Sequence, residues 1–284
     1  GEPVIYINGR QMRDKSELDR LQSDNIKSVE VITNPGARYA ASTRAVIRIT
    51  TKKIQGDGFG FDASTTGEYD EKKNFSGYSK LDMSYRKNGL ELGAYAFGAR
   101  QYQPGNLDLQ QKTYLDKTWN QKSEIRHTGI VEAMNFRLDA SYQLDANNSI
   151  GANFGILRNP KQTTNGDMST SILQDGDLSE SSDSHIDIFE QKSTLSSNVY
   201  YVGKLGKLGI DFNTDWLWSK NNEDDVTKEQ YQEVGMDAQS QTVHSLTNKY
   251  YHLLASKLEL SYPLLGGNLS LGGEYSNTHR TSKY

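Results

Sequence analysis

Long runs of alternating apolar and polar residues constrain this sequence more than any other feature. Across residues 130–144 one set of alternate positions is largely apolar, whereas the other set includes Asn135, Arg137 and Asp139. Residues 208–218 alternate in the same way. A period of two is that of a β-strand. Runs of about 11 to 15 residues exceed the about 5 to 6 typical of soluble domains and suit a membrane-spanning strand, which needs about 9 to 11.

About nine strands of this kind follow residue 58. They are predicted near 58–70, 75–86, 90–102, 128–144, 149–160, 191–204, 207–219, 247–262 and 268–280. Tight turns alternate with long polar connections near 103–127, 161–190 and 220–246, which we expect to be loops. This alternation is typical of an outer-membrane barrel. Plugged barrels have about 22 strands, so we expect an incomplete antiparallel transmembrane β-barrel.

Aromatic residues gather near the ends of the predicted strands, on the apolar side. They are Tyr69, Tyr85, Tyr142, Trp216, Trp218 and Tyr262. Membrane barrels carry aromatic girdles at both interfaces, and this placement favours a barrel. The edge of a soluble β-sandwich would carry a similar cluster, so this alternative stays open.

Composition excludes several classes of function. Of the 284 residues 35% are hydrophobic, the mean hydropathy is −0.75, and no run approaches the about 18 apolar residues of a spanning helix. A net charge of −4 argues against nucleic acid as a partner. The absence of cysteine removes disulfides and thiolate sites. A soluble, loop-rich β protein fits the same composition.

The first 55 residues read differently, as a small α+β fragment. Apolar strands are predicted at 3–8, 26–32 and 45–51, and Ser16 is a candidate cap for a short helix between the first two. Asn34-Pro35-Gly36 stops the second strand. A unit of this size is near the lower limit for an independent domain, so we expect it to dock against the β-array.

This segment resembles the C-terminal half of the plug domain of TonB-dependent outer-membrane receptors, in the branch labelled outer membrane β-barrel protein family. The matching residues are Ile7-Asn8-Gly9, Asn25-Ile26, Val29-Glu30-Val31-Ile32, Asn34-Pro35-Gly36-Ala37-Arg38-Tyr39 and the closing strand Ile47-Arg48-Ile49-Thr50-Thr51-Lys52-Lys53. The chain departs from the family at Ser42-Thr43-Arg44-Ala45, where a Gly-rich step is usual. The approach to the closing strand is therefore expected to differ.

The resemblance implies a division into residues 1–55, the C-terminal half of a plug, and residues 56–284, the N-terminal part of a barrel. It also implies a receptor in the outer membrane of a Gram-negative bacterium, importing an oligosaccharide, peptide or metal chelate. The expected partners are outer-membrane lipid, a TonB-type energising complex acting through a missing N-terminal part, and an unidentified nutrient ligand with a surface lipoprotein as a further candidate. We expect a piece of a longer protein, without its signal peptide, TonB box, first plug half and remaining strands. The alternative is a non-transporting adhesin or a soluble sugar-binding β protein.

The expected site residues are structural. In the plug motif Asn34, Pro35, Gly36, Ala37, Arg38 and Tyr39, Gly36 supports a tight turn after Pro35. Glu30, Arg38, Arg44 and Arg48 are candidates for ion pairs between plug and barrel.

No catalytic, metal or cofactor site is predicted. The five histidines show no metalloprotease spacing, and His185 is interpreted as a loop bystander. The acidic segments at 175–177 and 221–225 lack the Gly and distal Glu of an EF-hand, so a polar loop is favoured over Ca²⁺ binding. The ligand-binding residues are not predicted, and an enzyme is not expected.

Overall fold

The structure is a computed structural model that describes residues 3–7, 10–12, 18, 23, 26–33, 43–51, 57–145 and 147–284. The chain divides into two compact units, Gly1–Gly56 and Asp57–Tyr284. Each unit contains its own sheet. The two are described in turn.

The first unit contains a four-stranded sheet in the order β2-β1-β4-β3. Its strands are β1 (Val4–Ile7), β2 (Arg10–Gln11), β3 (Ile26–Ile32) and β4 (Val46–Thr51). β4 pairs in parallel with β1 and antiparallel with β3, which makes it central. Val46 is fully buried and Ile49 is buried, as expected for β-branched residues in a strand that is covered on both faces.

Two predictions for this unit fall outside the described residues. The α part of the predicted α+β fragment is not shown, because most positions around Leu18 are outside the described part of the chain. The motif from Asn34 to Tyr39, including Arg38, also lies outside it. The β part, with its strands at 4–7, 26–32 and 46–51, is as predicted.

The second unit is a nine-stranded antiparallel sheet in which every strand pairs with its neighbour in sequence. The strands are β5 (Gly58–Tyr69), β6 (Phe75–Lys87), β7 (Leu90–Tyr114), β8 (Thr118–Gln143), β9 (Ser149–Gln174), β10 (Asp177–Leu205), β11 (Leu208–Glu233), β12 (Gln239–Leu264) and β13 (Gly267–Lys283). Within the described residues β5 and β13 are the sheet edges, so the sheet is open. The mainly β fold class is confirmed for the described part of the chain.

The expected long loops are wrong, because residues 103–127, 161–190 and 220–246 continue the strands. β7 to β12 are 25 to 29 residues long and meet in tight turns at 115–117, 175–176 and 234–238. These segments are mostly polar on both faces, and apolar alternations such as Leu107 and Leu109 are too short to predict a strand. Their β structure comes from backbone pairing that continues without a break from the apolar part of each hairpin.

We use two names for the ends of this sheet. The lower turns connect β6–β7, β8–β9, β10–β11 and β12–β13, and the upper extensions are the polar halves of β7 to β12 at the opposite end. Asn88-Gly89, Asp175-Gly176 and Leu265-Gly266 each have two consecutive positive φ angles. That geometry is a type I′ hairpin turn, whose hand matches the twist of the strands.

Leu265 is out of place in such a turn and provides a stability test. Its φ is 51° and its side chain is 99% exposed, so it carries the strain of a left-handed conformation without burial to offset it. We expect Leu265→Asn to raise the free energy of unfolding by about 0.5–1 kcal/mol, since Asn adopts this conformation readily. Urea unfolding measures the change. The matched control is Leu264→Asn in β12, which should give no gain.

Candidate functional site

One face of the nine-stranded sheet carries an apolar band, identified from the rule that residues paired across antiparallel strands share a face. Ser197, Thr214 and Ser256 interrupt it on β10 to β12. The band consists of Phe59, Phe61 and Ala63 on β5; Leu81, Met83 and Tyr85 on β6; Leu90, Leu92, Ala94 and Ala96 on β7; Met134, Phe136, Leu138, Ala140 and Tyr142 on β8; Ile150, Ala152, Phe154 and Ile156 on β9; Leu195, Val199 and Tyr201 on β10; Ile210, Phe212, Trp216 and Trp218 on β11; Leu254, Leu258, Leu260 and Tyr262 on β12; and Leu269, Leu271 and Tyr275 on β13.

The band is as long as a membrane-spanning strand requires and is open to its surroundings. From Met134 to Tyr142 it extends about 27 Å along β8, which corresponds to the about 9 to 11 residues of a tilted spanning strand. Its side chains are exposed on a scale unusual for a water-facing surface, with Phe61 at 71%, Leu138 at 60% and Leu271 at 73%.

The band also shifts along the strands from one side of the sheet to the other. Cross-strand partners form rows that run from strand to strand across the sheet. The row that contains Met83 and Leu138 ends on β13 at Asn277, which is polar. On β13 the apolar Leu271 lies three rows closer to the lower turns. A level apolar belt crosses strands in this stepwise manner when the strands are tilted. The arrangement therefore fits tilted strands with one common apolar level.

The opposite face, which we call the polar face, is lined at the same height by charged and amide side chains. Its members include Asp82, Arg137, Asp139, Asn153, Asn198, Asp211, Asn213, Asp215, Lys257 and Glu259. The Arg137 side chain is 11% exposed, and its Nε lies 3.5 Å from Asp139 Oδ2. The guanidinium also lies 5.8 Å from the centre of the Tyr95 ring. Arg137 is thus held by partners within the sheet.

Asn198 is the most deeply buried member of the polar face, at 4% exposure. Its side-chain amide donates to Asn213 Oδ1 at 2.9 Å, to the Thr214 carbonyl oxygen at 3.1 Å and to Asp215 Oδ1 at 2.7 Å. Sequence analysis did not identify this residue. The alternation predicts its face but not that three acceptors from β11 converge on one amide.

A β-bulge in β9 changes which side chains face which way in the upper extensions. Register shifts occur beside Pro160, whose carbonyl oxygen accepts a hydrogen bond from Gln191 Nε2 at 2.9 Å. Pro lacks an N–H for the sheet and is therefore suited to a bulge. Before the bulge the even-numbered Arg158 lies on the face of the apolar band. After the bulge the odd-numbered Asp167 lies on that face, so the bulge exchanges the two faces of β9.

This exchange places Asp167 against His185, which the structure locates in β10 and not in a loop as expected. His185 Nδ1 lies 2.7 Å from Asp167 Oδ1, and its Nε2 lies 3.4 Å from Asp187 Oδ2. The hydrogen bond with Asp167 raises the pKa of His185 above its ordinary value, and the charge of Asp187 acts in the same direction, whereas partial desolvation and the neighbouring Lys228 oppose the rise. The cluster joins β9 to β10 well above the apolar band.

The raised pKa of His185 predicts a pH-dependent hairpin. Because the folded pKa exceeds the unfolded value of about 6.5, the stabilising contribution is complete below that value and disappears as pH rises through the folded pKa. We expect amides near residues 183–187 to exchange faster at about pH 8.5 than at about pH 5.5, after correction for intrinsic rates. His185→Gln should remove this difference. His127→Gln, on the other face of the sheet, should leave it unchanged.

The structure accounts for the remaining predicted site residues as follows. Glu30 and Arg48 lie opposite each other on β3 and β4, with Arg48 Nη1 3.5 Å from Glu30 Oε2, so this pair lies within the first sheet. Arg44 is exposed.

The two acidic segments lie in the second unit. Asp175-Gly176 forms a hairpin turn, and residues 221–225 belong to β11. Among the described residues no group of three or more His, Asp or Glu side chains is arranged to hold a metal ion.

Two concave regions lie on the same face as the apolar band. An apolar groove of about 260 Å³ lies within the band between β6 and β9. A polar depression of about 520 Å³ lies among the upper extensions of β9 to β12 and includes Asp167, Asp183, His185 and Lys228. In the described part of the chain no helix is long and apolar enough to cross a membrane.

Comparison with known proteins gives matches to solved structures alone. No family model and no curated protein matches the chain. The chain is similar to BauA, the ferric preacinetobactin receptor from Acinetobacter baumannii, at 11% identity and a TM-score of 0.36, over 98% of this chain and 50% of that one. It is also similar to the siderophore receptor PiuA from Acinetobacter baumannii, at 11% identity and a TM-score of 0.21, over 98% and 54% of the two chains. The chain thus spans about half the length of either receptor.

Proposed function

We propose that the second unit is part of the wall of an outer-membrane β-barrel and that the protein is a receptor of the TonB-dependent class. The observation that carries this proposal is the two-sided sheet, with an exposed apolar band of membrane-spanning length on one face and a buried polar network at the same level on the other. In a bilayer the band contacts lipid and the polar face lines a hydrated interior. A soluble protein has no comparable reason to expose such a band.

The assignment to the TonB-dependent class is narrower and rests on the first 55 residues. We propose that residues 1–55 are the C-terminal half of a plug and residues 56–284 the N-terminal part of the barrel. Support comes from the motif from Asn34 to Tyr39 in the sequence and from the strands β1, β3 and β4 that flank it or precede it. We further propose ion pairs with the barrel wall, in which Arg38, Arg44 and Arg48 meet acidic groups and Glu30 meets a basic group.

The proposed topology places the lower turns in the periplasm and the upper extensions outside the cell. The lower turns are tight, whereas the upper extensions are long and polar on both faces, as expected of segments in water. A receptor of this kind imports a nutrient with energy from an inner-membrane complex that acts on the plug. Its proposed partners are outer-membrane lipid, that complex and a nutrient ligand, and no enzymatic step is involved.

Extraction from cells tests the membrane assignment. We expect the full-length protein to remain in the outer-membrane fraction until detergent is added, and its gel mobility to change on heating as the barrel unfolds. Partition into the aqueous phase without detergent, together with unchanged mobility, would refute the proposal in favour of a soluble β protein. The upstream sequence gives an independent test, because a TonB box and the first plug half should precede residue 1.

A further inference from the structure

Three neighbouring hairpin tips at the far end of the upper extensions expose large apolar side chains. The β7–β8 tip exposes 73% of Tyr114 and 75% of Leu115, and the β9–β10 tip exposes 50% of Leu178. The β11–β12 tip exposes 64% of Val234 and 63% of Met236. These side chains lie far above the apolar band, since β7 continues for sixteen residues beyond Gly98, or about 53 Å. Lipid therefore does not explain their exposure.

The three tips form one continuous edge, which we call the apolar rim. The Thr118 amide donates to Asp175 Oδ1 at 2.8 Å, and the Asp175 amide donates to the Thr118 carbonyl oxygen at 2.8 Å, so the first two tips are joined. The Val234 amide donates to the Ser179 carbonyl oxygen at 2.9 Å and joins the second tip to the third. The rim is therefore a surface of fixed shape.

Charge on the rim is strongly one-sided. Within residues 114–118, 174–180 and 233–238 there is a single basic residue, Lys117, and the acidic residues are Asp116, Asp175, Asp177, Glu180, Glu233 and Asp237. A ligand that covers the apolar side chains therefore meets a negative potential unless it is itself basic.

Two of these carboxylates are held in an unfavourable arrangement. Glu180 and Glu233 are direct cross-strand partners on β10 and β11, and like charges in such positions destabilise a sheet. They lie at the rim on the side of the polar face, whereas Tyr114 and Leu178 lie on the side of the apolar band. The Tyr231 hydroxyl donates to Glu233, and this hydrogen bond raises the pKa of Tyr231 to about 12. A bound cation would relieve the repulsion between the two carboxylates. Unfavourable local arrangements of this kind are often retained at functional positions.

We propose that the apolar rim binds a short peptide that carries both basic and apolar side chains. This inference rests on the proposed function, because the rim captures cargo only if the upper extensions face the outside of the cell. A second copy of this chain is disfavoured, since two acidic rims repel each other. The rim is also small beside the about 20 to 30 residues that each partner contributes to a stable protein interface, which favours a peptide.

Fluorescence anisotropy with labelled ten-residue peptides tests the proposal on the full-length protein in detergent, with empty micelles as the blank. The probes are an alternating Lys-Leu peptide, a Glu-Leu peptide and a Lys-Ser peptide. We expect binding of the Lys-Leu peptide alone, weakened by salt. Equal binding of the Lys-Leu and Glu-Leu peptides, or no binding of either, would overturn the inference.

Variants locate the binding on the molecule. The double variant Glu180→Gln and Glu233→Gln should weaken binding of the Lys-Leu peptide about tenfold in Kd. The matched control is Asp108→Asn with Glu124→Gln, since these residues form another directly opposed acidic pair on β7 and β8, away from the tips. An equal loss in both double variants would refute the site.

The outcome of the peptide-binding experiment can be distinguished from the outcome of the membrane-extraction experiment. A protein that stays in the membrane fraction, changes mobility on heating and shows no preference for the basic peptide refutes this inference alone. A protein that partitions into water refutes both.

Discussion

Leu138→Arg is expected to prevent stable insertion of the protein into lipid. Leu138 lies in the middle of the apolar band, between Ala94 and Phe154 on the flanking strands, so the guanidinium would lie near the midplane of the bilayer. A charge at that depth costs a membrane β-barrel about 2–4 kcal/mol. Urea unfolding of the full-length protein in lipid vesicles measures the loss, and the heat-modifiable fraction measures insertion.

The control for this variant is Ser141→Arg. Ser141 belongs to the same strand but to the polar face, where it lies opposite Glu91, so an arginine there has a carboxylate neighbour and water. We expect a change within about 0.5 kcal/mol. The comparison also separates the membrane assignment from a soluble fold. Leu138 is 60% exposed, and in water Leu138→Arg would be as mild as the control. Equal stability of the two variants would therefore contradict the barrel.

Strand number and the lower turns could be predicted from sequence because two signals coincide there. In residues 130–144 the apolar alternation predicts both the strand and its apolar face. Asn88-Gly89 then marks a hairpin turn whose two residues adopt positive φ, as such a pair usually does. The upper extensions lack the first signal. Residues there are mostly polar on both faces and carry little trace of the strand period.

The upper extensions do contain one sequence signal of a β-hairpin, the dipeptide at 175–176. Asp175-Gly176 is a strong hairpin dipeptide, and it lies between segments rich in Ser, Thr and Ile. The polar composition around it instead favours a loop, and the sequence analysis assigns residues 175–177 to a polar loop in preference to a Ca²⁺ site. The structure shows a type I′ turn that closes β9 onto β10.

Side-chain clusters were harder to predict than strands, for a physical reason. The bulge at Pro160 exchanges the faces of β9, so a count of alternate residues from Ile156 places Asp167 on the wrong side of the sheet. The cluster of Asp167 with His185 depends on that single inserted residue. The acidic pair Glu180 and Glu233 depends in the same way on a register that backbone pairing sets.

Asn198→Asp is expected to destabilise the polar face by about 3 kcal/mol. The substitution preserves shape but replaces an amide that donates to Asn213, Thr214 and Asp215 by a carboxylate that can only accept. It also places a negative charge 2.7 Å from the oxygen of Asp215 at a position that is 4% exposed. Urea unfolding in lipid vesicles measures the loss of stability.

Asn120→Asp on β8 controls for the added charge. Asn120 Oδ1 accepts a hydrogen bond from Gln110 Nε2 at 2.8 Å, and a carboxylate accepts that bond at least as well. We therefore expect Asn120→Asp to change the free energy of unfolding by less than about 0.5 kcal/mol. If both variants lose the same stability, charge alone is responsible and the donor role of Asn198 is refuted. If Asn198→Asp alone is unstable, the amide of Asn198 stabilises the polar face as a donor to three acceptors on β11, directly behind the apolar band.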